Sequence, residues 1–296
     1  MRLLFTVFLL AFAARAGAQA FGAEESAKIL RHGPWPPAAP RDASNPVSGR
    51  PAAIALGERL FFEPRLSGTG SVLCATCHVP YRGFQDGRAR AFGLEETERN
   101  TPTLLDVGFY RRYGWEGARD TLWSQSIRPL LEPREMKASA AHVAGTMRKL
   151  YEAEYARAFE RPLPASDDAI LADVGKALAA YQETLVSGRT PFDEFRDALA
   201  SDDVAVMKNY PVSAQRGLRI FIGRGGCSGC HAGPNFSDGR IVGGFRVPGL
   251  RNVSRTAPYL HDGSLATLRE VMTQHSDLSE SEIDDVVSFL ESLKSL

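Results

Sequence analysis

Two copies of one pentapeptide, Cys74-Ala75-Thr76-Cys77-His78 and Cys227-Ser228-Gly229-Cys230-His231, use every cysteine in the chain. In an exported protein, four cysteines are compatible with two disulfides. A histidine directly after each pair instead matches the pattern of c-type haem attachment. The two thiols add to the vinyl groups of one haem, and the neighbouring imidazole becomes the proximal iron ligand. Structural zinc would find two thiols and one imidazole at each motif, with no further cysteine to complete a tetrahedron. The motifs therefore predict two covalent c-type haems, held by Cys74, Cys77 and His78 and by Cys227, Cys230 and His231. Any fold must wrap a core around each.

The chain has 296 residues, enough for one large domain or two ordinary ones. It carries 35 basic and 35 acidic residues, a balance that gives no reason to expect nucleic acid or a membrane surface as partner. Its start reads as a secretory signal over residues 1–20. Arg2 supplies the positive charge, Leu3 to Ala14 is apolar, and Ala16-Gly17-Ala18 and Ala18-Gln19-Ala20 are small-x-small cleavage sites. The apolar run falls short of the ~20 residues that span a bilayer. A periplasmic location without stable membrane insertion follows, with an uncleaved anchor as the alternative. Cleavage would remove Arg2 and Arg15, leaving 33 basic residues (35 less two) against 35 acidic ones.

The body of the chain is duplicated. Gly57-Glu58-Arg59-Leu60-Phe61 precedes the first haem motif, and Gly217-Leu218-Arg219-Ile220-Phe221 precedes the second. Both read as the end of a helix packed on a haem. Pro102-Thr103-Leu104-Leu105-Asp106-Val107 resembles Pro248-Gly249-Leu250-Arg251-Asn252-Val253, and thirteen residues after each proline stands Trp115 or His261. The segments that follow, Trp115 to Leu122 and His261 to Leu268, register without a gap. Apolar residues at steps of three and four predict helices over Ala140 to Phe159 and Ala169 to Ser187. Ser279 and Glu282 form a capping box for a last helix, Glu280 to Leu293. No sustained strand alternation occurs, and 27 Gly with 18 Pro predict long loops. The expected fold is mainly α, two homologous cytochrome c-like haem domains with long loops. The expected division is a Pro-rich surface arm over 21–52, an N-terminal haem domain over 53–202 and a C-terminal haem domain over 203–296.

The sixth iron position decides between chemistry and electron transfer. Fourteen residues past His261 is His275, and fourteen past Trp115 is Pro129. Histidine ligates iron and proline cannot. The C-terminal haem is therefore expected to be closed by His231 and His275, with Met272, on the same helix face, as the rival thioether ligand. The N-terminal haem is expected to keep an open face opposite His78. His261 reads as a hydrogen-bonded structural residue.

Thr256-Ala257-Pro258-Tyr259-Leu260-His261-Asp262-Gly263-Ser264, together with the two haem motifs, resembles the bacterial di-haem cytochrome c peroxidases and the related MauG enzymes, from roughly Ala53 to the C-terminus. The resemblance implies that Trp115 lies between the haems and that Glu135 is the distal acid of the peroxidatic haem. It puts Gln125 and Pro129 in the same distal pocket. It also implies a calcium ion between the domains, near Asn100, Thr256 and Pro258, the last two acting through backbone carbonyls. Cleaving hydrogen peroxide requires one proton moved from the inner to the outer oxygen, which a carboxyl over an open iron can do. Two departures matter. Many peroxidase members place a histidine after the first haem that caps the iron, whereas none occurs between His78 and His142 here. Where this chain has His275, those members have Met and MauG has Tyr. Both departures lean towards MauG-type chemistry, oxidation of a Trp or Tyr on a partner protein with equivalents held on both haems and the tryptophan. The alternatives are peroxide reduction to water, with electrons from a small cytochrome or copper protein, and a plain di-haem electron carrier.

Overall fold

The computed structural model describes residues 21–40 and 42–295, so the expected signal over 1–20 lies outside the described residues. The fold is mainly helical. Helix α1 (Ala23–Leu30) opens it, and α2 (Pro51–Phe61) starts on a proline, whose missing N–H costs nothing at a helix start. The short α3 (Cys74–Cys77) carries the first haem motif. Then come α4 (Leu122–Leu131), α5 (Ala140–Leu150), α6 (Glu152–Phe159), α7 (Asp167–Gln182) and α8 (Pro191–Ala200). The C-terminal part holds α9 (Val204–Met207), α10 (Val212–Ile222), α11 (Leu268–His275) and α12 (Glu280–Glu291). Among the described residues the one sheet is a hairpin, β1 (Ile241–Val242) antiparallel to β2 (Phe245–Arg246).

Each half is built on a pair of crossed helices. In one, α2 packs on α7 at Gly57, where any Cβ would collide with the Ala177 carbonyl. In the other, α10 packs on α12 at Gly217, where a Cβ would collide with the Asp285 carbonyl. Glycine is required at both because backbone meets backbone. The gapless repeat is also structural. Asp106 and Asn252 both stand in left-handed backbone, at φ 64° and 58°. Tyr113 bridges Arg119 as Tyr259 bridges Leu265. Thr121 caps α4 through the Ser124 amide (3.3 Å), and Thr267 caps α11 through the Glu270 amide (3.2 Å).

Three expectations require correction. The helix expected over Ala140 to Phe159 breaks at Tyr151, a buried residue whose hydroxyl is drawn to Glu63. The helix expected to reach Ser187 ends at Gln182. Ser187 instead donates its amide (2.7 Å) and hydroxyl (2.8 Å) to the Asp106 carboxylate. The arm over 21–52 is not an extended surface segment. It contains α1, and it buries Ile29, His32, Trp35, Asn45 and Val47. Trp35 donates its indole N–H to the Ser187 carbonyl at 2.9 Å, so the arm is held by hydrogen bonds as well as by apolar burial. Two apolar cores form, but the second gathers Ile29 from α1 and Phe192 and Phe195 from α8 onto Phe221, Phe236 and Phe289. The C-terminal core thus draws on chain before residue 203.

Candidate functional site

The haem motifs present their histidines in the same way. His78 Nδ1 donates to the Phe84 carbonyl at 3.0 Å, and His231 Nδ1 to the Phe236 carbonyl at 3.0 Å. A carbonyl only accepts, so each Nδ1 carries the proton and each Nε2 is left with a lone pair for iron. Burial holds both imidazoles below their ordinary range, which favours the neutral ligand form. None of the four cysteines pairs in a disulfide. Among the described residues no three His, Cys, Asp or Glu side chains converge.

Cys74, Cys77 and His78 line a cavity of about 810 Å³. That is within the ~300–1,000 Å³ of cofactor pockets. Trp115, Gln125, Pro129, Glu135 and Asn100 line the same cavity, so the fold brings the sequence-predicted residues of the N-terminal site together. Arg99, Arg119, Arg134 and Arg246 also stand on its wall, and the buried Arg246 Nε has no hydrogen-bond partner within the protein. A haem brings two anionic propionates, so the residues present fit that group.

Glu135 is placed from both sides. The Leu94 amide donates to the Arg134 (2.9 Å) and Glu135 (3.1 Å) carbonyls, and the Gly68 amide to the Met136 carbonyl (2.8 Å). At Gly93 a Cβ would come within 2.7 Å of the Glu135 Cα, so only glycine lets that strand of loop approach. Burial raises the Glu135 carboxyl above its ordinary range. The Arg128 guanidinium, 3.0 Å away, pulls it back, and the Glu132 charge pushes it up. Arg128 also reaches Glu132 at 3.8 Å. Sequence reasoning missed Arg128, although a cation four residues before Glu132 and next to Pro129 was the available signal. Gly114 sits in left-handed backbone at φ +78°, and a Cβ added there would come within 3.2 Å of Gln125 Oε1, so glycine leaves that side-chain amide its space. Pro129 lies inside α4, and its carbonyl accepts from the Met136 amide at 3.2 Å, next to Glu135.

Trp115 joins the halves. Its indole N–H donates to the Asn100 carbonyl (2.8 Å), and its own carbonyl accepts from the Arg246 amide on β2 (2.7 Å). The Asn100 amide in turn donates to the His261 carbonyl at 2.8 Å, which sets Asn100 against the turn that holds Thr256 and Pro258. The His261 ring lies against Phe245, with centroids 3.9 Å apart.

In the C-terminal half, Met272 is 6% exposed and belongs to the apolar core, whereas His275 is exposed at the end of α11. His275 adds to the burial effect that depresses His231, as a charge near that ring does. No helix among the described residues is long and apolar enough to cross a membrane.

The geometry agrees with comparisons to known proteins. Residues 51–201 match the family model for di-haem cytochrome c peroxidase. The methylamine utilization protein MauG of Methylorubrum extorquens is 33% identical, over 88% of this chain and 82% of its own. The cytochrome-c peroxidase IdrP1 of Denitromonas iodatirespirans is 30% identical, over 93% of this chain and 89% of its own. Among solved structures, a MauG-like protein associated with microbial copper homeostasis superposes with a TM-score of 0.72 at 27% identity, over 88% of this chain and 93% of that one. With two haem-attachment sites, a duplicated helical scaffold and these relatives, the chain belongs to the di-haem cytochrome c peroxidase family, oxidoreductases that act on peroxide.

Proposed function

We propose that this chain is a periplasmic di-haem enzyme that reacts with hydrogen peroxide at its N-terminal haem and oxidises a Trp or Tyr of a partner protein. The observation that carries the reading is the placement of Glu135, paired with Arg128, on the cavity that holds Cys74, Cys77 and His78. Between His78 and His142 no histidine is available to cap that iron. Bound haem supplies an iron that peroxide can reach and that accepts oxidising equivalents. The protein supplies the proton path. Glu135 takes the proton from the inner peroxide oxygen and returns it to the outer one, and its raised pKa suits a group that must do both. Gln125 would orient peroxide through its amide, and Pro129, which has no ligating atom, would leave the N-terminal iron accessible where the repeat has His275. Trp115, held at both its indole N–H and its carbonyl, keeps its ring fixed between the halves for electron passage.

In the same reading His231 and His275 would both hold the iron of the C-terminal haem, and the burial of Met272 in the core supports that choice. A calcium ion would sit between the halves on the Asn100 side-chain oxygen and the Thr256 and Pro258 carbonyls. The Asn100 to His261 hydrogen bond supports it. Export rests on the signal sequence over 1–20.

The peroxidase relatives favour a second reading, reduction of peroxide to water with electrons from a small cytochrome or copper protein. Adding peroxide to the fully oxidised protein separates the two. A stable state two electrons more oxidised, formed without prior reduction, is the outcome predicted here. Reaction only after one-electron reduction would select the peroxidase, and no reaction in either state would leave an electron carrier.

A further inference from the structure

Behind the C-terminal proximal histidine, four consecutive carbonyls are each taken by a donor. Gly233 accepts from His32 Nδ1 (3.1 Å) and Pro234 from Arg251 Nε (2.7 Å). Asn235 accepts from the Leu250 amide (3.3 Å) and Phe236 from His231 Nδ1 (3.0 Å). The loop needs this hold, because Gly233 and the non-glycine Phe236 both stand in left-handed backbone, at φ 75° and 52°. His32 comes from the N-terminal arm, about 200 residues away in sequence. It is 3% exposed, and its ring stacks on Phe236 with centroids 4.7 Å apart and planes 12° apart. Neither the haem motif nor the peroxide chemistry calls for a histidine there.

We propose that His32 is a positioning residue for His231: by stacking on Phe236 and bonding the Gly233 carbonyl, it fixes the carbonyl that accepts the His231 Nδ1 proton and so sets the reduction potential of the C-terminal haem. That hydrogen bond raises the electron donation of the ligating imidazole and favours the oxidised iron. Loosening the brace should therefore raise the potential of that haem. The N-terminal half offers an internal control. Phe84, also left-handed at φ 59°, gives its carbonyl to His78, yet it is only half-buried, and its loop is held instead by Thr103 Oγ1 on the Gly83 carbonyl (2.6 Å).

The test is spectroelectrochemical titration of the full-length protein with both haems attached, comparing wild type with His32→Ala and His32→Phe. The alanine variant removes stack and hydrogen bond; the phenylalanine variant keeps a stacking ring and removes only the bond. One of the two reduction waves should move upward in both variants. The expected shift is roughly three- to tenfold in the reduction equilibrium for His32→Ala and smaller for His32→Phe, tenfold being about 59 mV for one electron. The other wave should stay in place. Waves that stay in place in His32→Phe, or two waves that move together in either variant, would overturn the proposal. If His32→Ala fails to fold, His32→Phe alone decides. The outcome does not depend on which haem meets peroxide or on what ligates its sixth position.

Discussion

Phe84 and Phe236 do the same work in the two halves, each offering its carbonyl from left-handed backbone to a proximal histidine, but their surroundings differ. The loop behind His231 is buried under the arm. It is also tied to Arg251, whose guanidinium forms a fully buried bidentate pair with Asp193 of α8 (2.7 and 2.9 Å) and lies 3.6 Å from the Trp35 ring centroid. In the repeat, Arg251 stands where the N-terminal half has Leu105. The distal sides differ the other way. The N-terminal half carries Pro129 inside the last turn of α4, next to Arg128, and follows the helix with Glu135, which pairs with Arg128. The C-terminal half ends α11 with His275. In the proposed function, one duplicated scaffold carries a half elaborated for chemistry at an open face and a half made rigid behind its iron. Rigidity suits electron transfer because a fixed ligand set changes little between oxidation states.

The comparison can be broken most severely at Glu135. Glu135→Gln keeps the side-chain volume and removes the proton acceptor, so peroxide cleavage should slow by about 10²–10⁴-fold in stopped-flow mixing, with both haems still attached. A rate near wild type would put the proton transfer elsewhere. Next in size is the buried pair. Asp193→Ala leaves the Arg251 charge buried without its partner, which should cost about 3–5 kcal/mol in chemical denaturation. The loss should appear in the transition of the C-terminal core. Smaller and symmetrical effects are expected at the helix crossings. Gly57→Ala and Gly217→Ala should each destabilise by roughly 1–3 kcal/mol, because backbone must move to admit the methyl. A neutral result in one half would mean that the two crossings are not equivalent. The mildest expected effect is at Arg128. Glu135 must be ionised to accept a proton, so activity falls as pH drops through its pKa, which already lies above the ordinary glutamate range. Arg128 lowers that pKa, so Arg128→Ala should move the acidic limb of the pH profile to higher pH. An unmoved limb would detach Arg128 from Glu135.

The asymmetry of the distal sides was legible in the sequence because the repeat has no gap from Pro102 to Leu122: Pro129 and His275 could be compared position by position. The two haem-attachment motifs were legible because local spacing dictates the chemistry. The proximal asymmetry was hidden. His32, Trp35 and Asp193 reach the second haem loop through tertiary packing, and a Pro-rich stretch carries no periodicity that would reveal buried residues within it. Helix ends at Tyr151 and Gln182 were missed for a related reason. Their side chains or successors exchange helical bonds for long-range ones, to Glu63 and Asp106. Arg128 was overlooked because its two partners stand on a loop whose return to α4 depends on Gly93 and Gly68.

The claim that the two irons are unlike is tested most directly by electron paramagnetic resonance of the oxidised protein, wild type beside His275→Ala. The account predicts one high-spin and one low-spin ferric signal in the wild type, and conversion of the low-spin signal alone in the variant. A wild type with two low-spin signals, or a variant whose low-spin signal persists, would contradict it.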